Sequence, residues 1–180
     1  DFEHELLSVF KLDVSNTQSV TEFAQFVSQR CKQVDVLVNN AGRMDGRWKT
    51  IGEVDPDVSL EVLNVNTIGP LRVAQALWPL LEATGQSKVA NITSLMGSIE
   101  DCQSGRSYAY RTSKTGLNMM TKILSVEGKD ADISVSCYHP GWVLTDMGGE
   151  RAPVLPQEAV KGLIELIEMQ TLERSGRFFE

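Results

Sequence analysis

Residues 34–42 read VDVLVNNAG, a short, largely apolar run that leads into a turn of asparagine, alanine and glycine. Apolar runs of this length are typical of strands buried in parallel sheets. The turn suits an ordinary chain reversal, but ligands of open parallel sheets bind beyond the carboxyl ends of the strands. This stretch therefore predicts a buried strand and, at its end, one wall of a binding site.

The rest of the sequence alternates between short apolar runs and amphipathic helical segments. Besides residues 34–38, strands are predicted at residues 8–12, 88–93, 133–137 and 176–180. Helices are predicted after the polar cap at residues 15–17, from Pro56 to about residue 83, over residues 107–127 and from Pro156 onward. This alternation indicates an α/β fold with a parallel sheet covered on both faces, in one domain over residues 1–180.

Helical spacing predicts which side chains each helix buries. The second helix starts at Asp55-Pro56, a good cap and first-turn proline, and should bend near Gly69-Pro70 because Pro70 removes a hydrogen-bond donor. The apolar stripes of the other three helices are Val20, Phe23, Ala24 and Val27; Leu117, Met120 and Leu124; and Val160, Leu163, Ile164 and Ile167.

Composition excludes several function classes. The chain has 180 residues, of which 42% are hydrophobic, and a formal net charge of -7 without a basic cluster, which argues against binding to nucleic acid or to an anionic membrane surface. The apolar runs are too short to span a bilayer, and the acidic start at residues 1–5 is no signal peptide. Cys31, Cys102 and Cys137 lack metal-type spacing and read as reduced thiols of a cytoplasmic protein, with Cys137 in a strand core.

Polar or glycine-bearing residues follow each of the first four predicted strands. They are Asp13-Val14, residues 39–42, Thr93-Ser94 and His139-Pro140-Gly141. Tyr110 and Lys114 begin the helix after the third strand, and their four-residue spacing places both on one face of that helix. These residues therefore meet at one edge of the predicted sheet, where a ligand is expected.

Five motifs occur in a fixed order along the chain: residues 39–42 (NNAG), Asn66 within residues 64–69 (NVNTIG), Ser94 within residues 92–97 (ITSLMG), Tyr110-x-x-x-Lys114, and residues 140–145 (PGWVLT). In order and interval they resemble the short-chain dehydrogenase/reductase family. Within it, the segments at 96–99, 108–114, 139–149 and 175–179 are most similar to the C-factor (C-signal) and carbonyl reductase group. The resemblance implies a Rossmann-like, doubly wound parallel sheet that lacks the first two strands of the family.

The resemblance also implies an NAD(P)-dependent oxidoreductase that exchanges hydride with a carbonyl or alcohol substrate, with Tyr110 as general acid and base. Lys114 would lower the pKa of the Tyr110 phenol, together with the positive nicotinamide, and would hold the nicotinamide ribose. Ser94 would bind the substrate oxygen, and Asn66 would hold a water that relays protons to Lys114. The implied catalytic set is thus Asn66, Ser94, Tyr110 and Lys114.

The resemblance further implies contacts to the cofactor, which is NADP or NAD with NADP favoured, and to a small-molecule substrate. The cofactor contacts are Asp13, Val14, Asn40, Ala41, Gly42, Tyr110, Lys114, Pro140, Gly141, Val143 and Thr145. The expected substrate pocket is formed by Met96, Tyr138, His139, Trp142 and Met147. The family's dimer surface on the helices at 56–83 and 107–127 predicts a homo-oligomer.

Structural readings of the same residues stay open. Asn66 could stabilise the helix bend, Ser94 could cap the strand end, and Asp13 could cap the next helix. Tyr108 and Tyr138 suit packing or a pocket wall better than catalysis, and His139 is read as structural or pocket-lining. At the level of function, a C-factor-like signalling protein and an inert cofactor-binding fragment remain alternatives to the enzyme.

Two departures from the family accompany the resemblance. Fifteen residues separate Ser94 from Tyr110, so a polar loop is expected to bulge out at residues 98–107. The family's Gly-rich turn, which binds the cofactor pyrophosphate, does not occur before Asp13; by resemblance about fifty residues, with two strands, would precede this chain. Residues 1–180 alone are therefore expected to bind cofactor very weakly and to be inactive.

Overall fold

In the computed structural model, residues 5–180 are described, so most of the acidic start, residues 1–4, lies outside the described part. The helices and strands are, in chain order, α1 Thr17–Ser28, β1 Val36–Asn39, α2 Pro56–Leu63, α3 Gly69–Glu82, β2 Lys88–Ile92, α4 Tyr108–Glu127, β3 Ser134–Tyr138, α5 Pro156–Glu168 and β4 Phe178–Phe179. A π-helical turn, Asn64–Ile68, joins α2 to α3, and a 3₁₀ turn, Leu95–Gly97, follows β2.

Within residues 5–180 the sheet has four parallel strands in the order β1-β2-β3-β4. Val36 pairs with Lys88 in β2, Lys88 pairs with Ser134 in β3, and Cys137 pairs with Phe178 in β4. Because all strands point the same way, their carboxyl ends lie at one edge of the sheet. The predicted strands at 34–38, 88–93, 133–137 and 176–180 are thus present, with shifted ends.

Two apolar clusters cover the opposite faces of the sheet. The larger cluster packs α1, α3 and α4 against the first face: Val20, Leu37, Val73, Ala74, Leu77, Leu81, Val89, Leu117, Met120, Leu124, Ile133 and Val135. The smaller cluster, Ala90, Ile92 and Tyr138, lies against Leu163, Leu166 and Ile167 of α5. Neighbouring strand residues such as Val89 and Ala90 face opposite clusters, as strand geometry requires. The doubly wound parallel sheet with helices on both faces is therefore confirmed.

The starts of α1 and α2 follow the capping signals in the sequence. Asn16 caps α1, because its Oδ1 accepts the Ser19 N–H at 3.0 Å. Asp55 caps α2 by accepting the Asp57 N–H at 2.9 Å, and Pro56 occupies the first turn, where its missing N–H is not needed. Both helix starts were predicted.

The predicted bend is present, but its form is a π-helical turn placed just before Gly69-Pro70. Gly69 lies against Val14, since a Cβ on Gly69 would stand 2.9 Å from the Val14 Cγ2. Arg72 holds the bend from α3, with one N–H to the Asn64 Oδ1 at 2.5 Å and another to the Val14 carbonyl at 3.1 Å. π-Helical turns of this kind occur often at functional sites.

The strand predicted at residues 8–12 is wrong. This segment has no regular secondary structure, and it packs Phe10 on α1 instead. The Phe10 ring lies 4.9 Å from the Phe26 ring and 5.7 Å from the Phe23 ring, and Leu12 packs against the larger cluster. An apolar alternation satisfies either arrangement, and in the described residues β1 does not pair with this segment.

The stripe predicted for α5 is partly wrong. Leu163 and Ile167 pack on the smaller cluster as expected, but Val160 and Ile164 are 53% and 51% exposed. The cluster is small, so α5 presents Leu163, Leu166 and Ile167 to it and leaves one edge of its apolar stripe uncovered.

Three further sequence predictions concern thiols, the loop before α4 and membranes. Cys137 is buried in β3, whereas Cys31 and Cys102 are exposed, and all three are free. Residues 98–107 form the expected loop without helix or strand. Among the described residues, no helix is both long enough and apolar enough to cross a membrane.

Candidate active site

The site is built where β1, β2 and β3 end and α4 begins. α4 starts at Tyr108, directly after Ser107, which is buried with a positive φ of 59°. Its first turns carry Tyr110 and Lys114 on the side that faces the ends of β2 and β3. The topology therefore brings the predicted acid to the sheet edge where polar residues follow the strands.

Tyr110 and Ser94 form a buried polar pair. Tyr110 is 6% exposed, Ser94 is also buried, and the Ser94 hydroxyl is near enough to the Tyr110 phenol to act on its pKa. The Ser94 Oγ also accepts the Met96 N–H at 3.1 Å, which caps the Leu95–Gly97 turn. The capping and the catalytic readings of Ser94 are thus compatible, because one oxygen serves both contacts.

Burial raises the pKa of the Tyr110 phenol above its ordinary value, and the Ser94 hydroxyl opposes this rise. The lowering predicted from Lys114 and the positive nicotinamide together is therefore not produced by Lys114 alone. The Lys114 Nζ lies 5.7 Å from the centre of the Tyr110 ring, and it donates instead to the Ile92 carbonyl at 2.8 Å. Tyr110 is therefore protonated at neutral pH.

Lys114 is a buried cation. It is 4% exposed, and burial lowers the pKa of its ammonium from 10.5 to about 8. Burial likewise raises the pKa of the neighbouring Cys137 thiol to about 11. Since an ammonium has three donors and Ile92 takes one, two donors remain for other groups.

Asn66 sits in the π-helical turn and is fully buried. Its Oδ1 accepts the Arg43 N–H, and its Nδ2 donates to the Arg43 carbonyl and to the Ser113 Oγ, each at 2.9 Å. Ser113 in turn donates to the Tyr110 carbonyl at 2.8 Å. The Asn66 side chain thus ties the segment after β1 to the first turns of α4, which fits the structural reading of this residue.

Gly42 leaves room between Asn66 and Lys114. A Cβ at this position would lie 3.5 Å from the Asn66 Oδ1 and 3.8 Å from the Lys114 Nζ. Both polar groups are therefore close to the same point in front of the Gly42 backbone. A residue with a side chain here would fill the space beside the ammonium.

A cavity of about 120 Å³ opens between α1, α3 and the end of β1. Its walls are Leu12, Val14, Phe23, Leu37, Val38, Asn39, Asn40, Ala41, Pro70 and Val73. Three predicted cofactor contacts, Val14, Asn40 and Ala41, line it. Asp13 does not: its carboxylate accepts the Ser15 hydroxyl at 2.6 Å and the Ser15 N–H at 2.9 Å, which lowers its pKa.

The predicted residues after β3 lie in one folded loop. Val143 bridges to Val154, the Thr145 Oγ1 accepts the Gly148 N–H at 3.1 Å, and the Trp142 indole N–H donates to the Gly148 carbonyl at 2.8 Å. The Arg47 guanidinium, from the loop after β1, donates to the Met147 carbonyl at 3.2 Å. The loops that follow β1 and β3 are thus linked at Met147, while Pro140 and Gly141 begin the second loop.

The five predicted pocket residues do not all lie together. Tyr138 is fully buried on the α5 side, where its ring stacks on Phe179 and its hydroxyl donates to Gln170, so packing explains it. His139 bonds through its backbone N–H to the Phe179 carbonyl at 2.8 Å, and burial lowers the pKa of its imidazole. Met96 lies in the turn after Ser94, and Trp142 and Met147 are partly exposed on the loop after β3.

Several polar side chains around the site were not predicted from the sequence. Ser113 links Asn66 to α4, the Thr67 Oγ1 donates to the Ser113 carbonyl at 2.8 Å, and Thr93 bonds to Asn118. The helical spacing of Ser113 and Asn118 from Tyr110 is readable in the sequence. Their partners are mainly backbone carbonyls and segments distant in sequence, which no motif identifies.

Comparisons with known proteins agree on one family. A family model described as short chain dehydrogenase matches residues 3–154. The "C-signal" protein of Myxococcus xanthus is 41% identical over 147 residues, covering 82% of this chain and 88% of that protein. The 1-hydroxy-2-glutathionyl-2-methyl-3-butene dehydrogenase of Rhodococcus sp. (strain AD45) is 36% identical over 172 residues, covering 93% and 74%.

Two solved structures share the fold closely. An NADPH-bound carbonyl reductase from chicken fatty liver superposes with a TM-score of 0.86 at 34% identity, over 93% of this chain and 71% of that chain. The carbonyl reductase Sniffer of Drosophila melanogaster gives a TM-score of 0.89 at 31% identity, over 94% and 73%.

Proposed function

The chain belongs to the short-chain dehydrogenase family, and from that membership we propose that it transfers hydride between a nicotinamide cofactor and the carbonyl or alcohol carbon of a small-molecule substrate. The observation that carries the proposal is the buried pair of hydroxyl groups on Ser94 and Tyr110, one helical turn from the buried Lys114 ammonium. Two hydroxyl groups and a cation in a largely dry site suit a reaction in which charge develops on one oxygen.

The residues fit a long cofactor that carries polar groups at both ends. The cavity beside Val14, Asn40 and Ala41 would take the adenine end, and the space left by Gly42 would admit a ribose hydroxyl beside Lys114. When bound, the cofactor supplies or accepts the hydride, and its oxidised ring carries a positive charge. We favour NADP over NAD, because the similar carbonyl reductase from chicken is an NADPH-bound structure.

The remaining cofactor contacts follow from the same placement. Pro140, Gly141, Val143 and Thr145 would hold the nicotinamide end from the loop after β3. Asp13 is kept as an adenine contact only through its position next to Val14, since its carboxylate is engaged by Ser15.

Tyr110 acts as the proton donor in the direction of carbonyl reduction. Burial keeps its phenol protonated, so the group that reduction requires is present at neutral pH. Ser94 would donate to the substrate oxygen and stabilise the negative charge that develops there. The reverse reaction needs the phenolate, so alcohol oxidation should be slow at neutral pH and should accelerate as pH rises.

Lys114 would serve two purposes. The two donors that Ile92 leaves free would bind the ribose hydroxyls, and its charge would stabilise the Tyr110 phenolate after proton transfer. We retain Asn66 as the anchor of a proton-relay water, supported by its position beside Gly42 and Lys114.

The test is a titration followed by a turnover assay. Residues 1–180 alone and a chain extended by the preceding segment with the Gly-rich turn are each titrated with NADPH and with NADH while the fluorescence of the reduced nicotinamide is followed, and aldehydes and ketones are then added. We expect saturable binding and carbonyl-dependent oxidation of the cofactor from the extended chain, and very weak binding without turnover from residues 1–180 alone. Absence of both from the extended chain with either cofactor contradicts the proposal, and all variant assays use the extended chain.

A signalling role is the second candidate, and the observation that favours it is the 41% identity to the "C-signal" protein. A signal carried by the protein surface would persist in a Tyr110→Phe variant, whereas a signal that depends on hydride transfer would be lost with turnover.

The free, exposed Cys31 and Cys102 support a reducing, cytoplasmic location.

A further inference from the structure

Residues 93–97, here called the Ser94 turn, are docked directly on α4. Gly97 touches the helix backbone, because a Cβ on Gly97 would stand 2.8 Å from the Lys114 carbonyl carbon. The turn that carries Ser94 and the helix that carries Tyr110 are therefore in contact without an intervening side chain. What fixes their relative position is a set of hydrogen bonds outside the Ser94–Tyr110 pair.

The Asn118 carboxamide holds both ends of the Ser94 turn. The Thr93 hydroxyl donates to the Asn118 Oδ1 at 2.6 Å, and the Asn118 Nδ2 lies 3.4 Å from the Gly97 carbonyl, to which it donates. One side chain on α4 thus contacts the residue before Ser94 and the last residue of the turn.

Asn118 belongs to a polar stripe on α4. Arg111, Thr115 and Asn118 have the i, i+4, i+7 spacing of one helix face, next to the face of Tyr110 and Lys114. The Thr115 hydroxyl donates to the Gly97 carbonyl at 2.9 Å, and the Arg111 guanidinium donates to the Met96 carbonyl at 3.4 Å. α4 therefore carries the acid and also the groups that fix the turn with the second hydroxyl.

The backbone of Thr93 is held independently of its side chain. Its N–H donates to the Tyr138 carbonyl at 2.8 Å and continues the pairing of β2 with β3. Removing the Thr93 hydroxyl should consequently leave the sheet intact and release only the bond to Asn118. That separation makes the role of the hydroxyl testable.

We propose that Thr93 and Asn118 are positioning residues that set the Ser94 hydroxyl against the Tyr110 hydroxyl. The inference rests on the proposed function, in which both hydroxyl groups must reach one substrate oxygen. Small displacements between groups that act on one atom cost much of the rate. Thr93 and Asn118 act through Ser94 and do not touch the substrate themselves.

The experiment is a double-mutant cycle between Thr93→Val and Ser94→Ala, with Thr93→Ser as the conservative control. Thr93→Val should lower kcat about tenfold in the otherwise unchanged protein and should have no effect in the Ser94→Ala background. Thr93→Ser should restore kcat, and the Kd for NADPH and the melting temperature should stay near those of the unchanged protein. Asn118→Leu repeats the cycle from the other partner if Thr93→Val is poorly folded.

Equal losses from Thr93→Val in both backgrounds would overturn the inference, as would no loss, or a loss that Thr93→Ser does not restore. The same cycle can also be measured without turnover. An NMR titration of the Tyr110 ring gives the pKa of its phenol, which should rise when the influence of the Ser94 hydroxyl is lost. If Thr93→Val raises the pKa of Tyr110 only when Ser94 is present, the inference is supported; if that protein also lacks turnover, the proposed function is contradicted. If Thr93→Val leaves the pKa of Tyr110 unchanged, or changes it equally in the Ser94→Ala background, the inference is contradicted whatever the turnover.

Discussion

At the scale of the residue, Lys114 is a buried ammonium that keeps one hydrogen bond, to the Ile92 carbonyl. Burial disfavours its charged form and lowers its pKa to about 8. A chain that needed only a stable core would place an apolar side chain here. The buried cation therefore points to a chemical role for Lys114, because buried charges at clefts mark functional sites.

The Lys114→Met variant tests this residue through stability. Between pH about 8 and about 10.5 the unfolded chain holds the Lys114 proton while the folded protein has released it, so the contribution of Lys114 to the free energy of unfolding should rise with pH across this window. The variant should lose this rise and should be more stable at neutral pH by about 3 kcal/mol. Chemical denaturation of both proteins across the window measures it; an identical pH dependence contradicts the shifted pKa.

The same variant tests the cofactor role. Lys114→Met keeps the length of the side chain and removes its donors, so the Kd for NADPH should rise by about tenfold or more while turnover falls. A fluorescence titration and a turnover assay on the same protein separate the two effects. A fall in turnover with unchanged Kd would argue against the ribose contact.

The identity of the site residues could be predicted from the sequence, but the environment that sets their pKa values could not. The Tyr-x-x-x-Lys spacing located Tyr110 and Lys114 correctly on one face of a helix, because helical geometry depends on sequence spacing alone. The pKa of Tyr110 was predicted to fall through Lys114 and the positive nicotinamide together; Lys114 alone does not lower it, since the phenol is buried and Lys114 donates to the Ile92 carbonyl. Those facts come from the packing of distant segments.

At the scale of the element, the contact between α4 and the Ser94 turn requires a glycine. Gly97→Ala would place a Cβ within 2.8–2.9 Å of the Lys114 backbone and Cβ, so the turn must move away from α4. We expect a loss of about 1–3 kcal/mol in the free energy of unfolding and a loss of turnover of at least about tenfold.

Gly162→Ala is the matched control for that substitution. Gly162 lies in α5 with no atom within 4 Å of an added Cβ, so alanine there should be neutral or slightly stabilising. Thermal unfolding and kcat of both variants are compared with the unchanged protein. Equal behaviour of the two variants would show that the close approach at Gly97 has no consequence.

Elements were predicted best where a local signal decides them. The caps at Asn16 and Asp55 fixed two helix starts, because the capping hydrogen bonds are local. The segment at 8–12 was misassigned because its apolar pattern fits a strand and also fits packing on α1, and only the available partner decides between them. The exposure of Ile164 likewise depends on the width of the cluster beneath α5.

At the scale of the whole molecule, α4 leaves an apolar surface uncovered. Met119, Ile123 and Val126 are exposed on this helix, and Leu60 and Leu71 are exposed on α2 and α3. A surface built from a helix pair can pair with a second copy around a two-fold axis. We therefore expect a homodimer or a larger homo-oligomer.

Ile123→Asp should weaken that assembly, because it places a charge in the apolar surface. Ile164→Asp is its control, since Ile164 on α5 is 51% exposed and Ile123 is 52% exposed. Light scattering over a wide concentration range should give a smaller mass for Ile123→Asp than for Ile164→Asp. A monomeric unchanged protein at all concentrations would contradict the expectation.

Tyr110 is proposed to donate the proton in a nicotinamide-dependent carbonyl reduction, and a pair of tyrosine variants tests this role. Tyr110→Phe and Tyr108→Phe each remove one phenolic hydroxyl from the first turn of α4, but Tyr108 is partly exposed and lies outside the Ser94–Tyr110 pair. With NADPH and an accepted carbonyl substrate, Tyr110→Phe should lower kcat by at least about a hundredfold with an unchanged Kd for NADPH. Tyr108→Phe should stay close to the unchanged protein. Near-normal turnover in Tyr110→Phe would exclude Tyr110 as the proton donor.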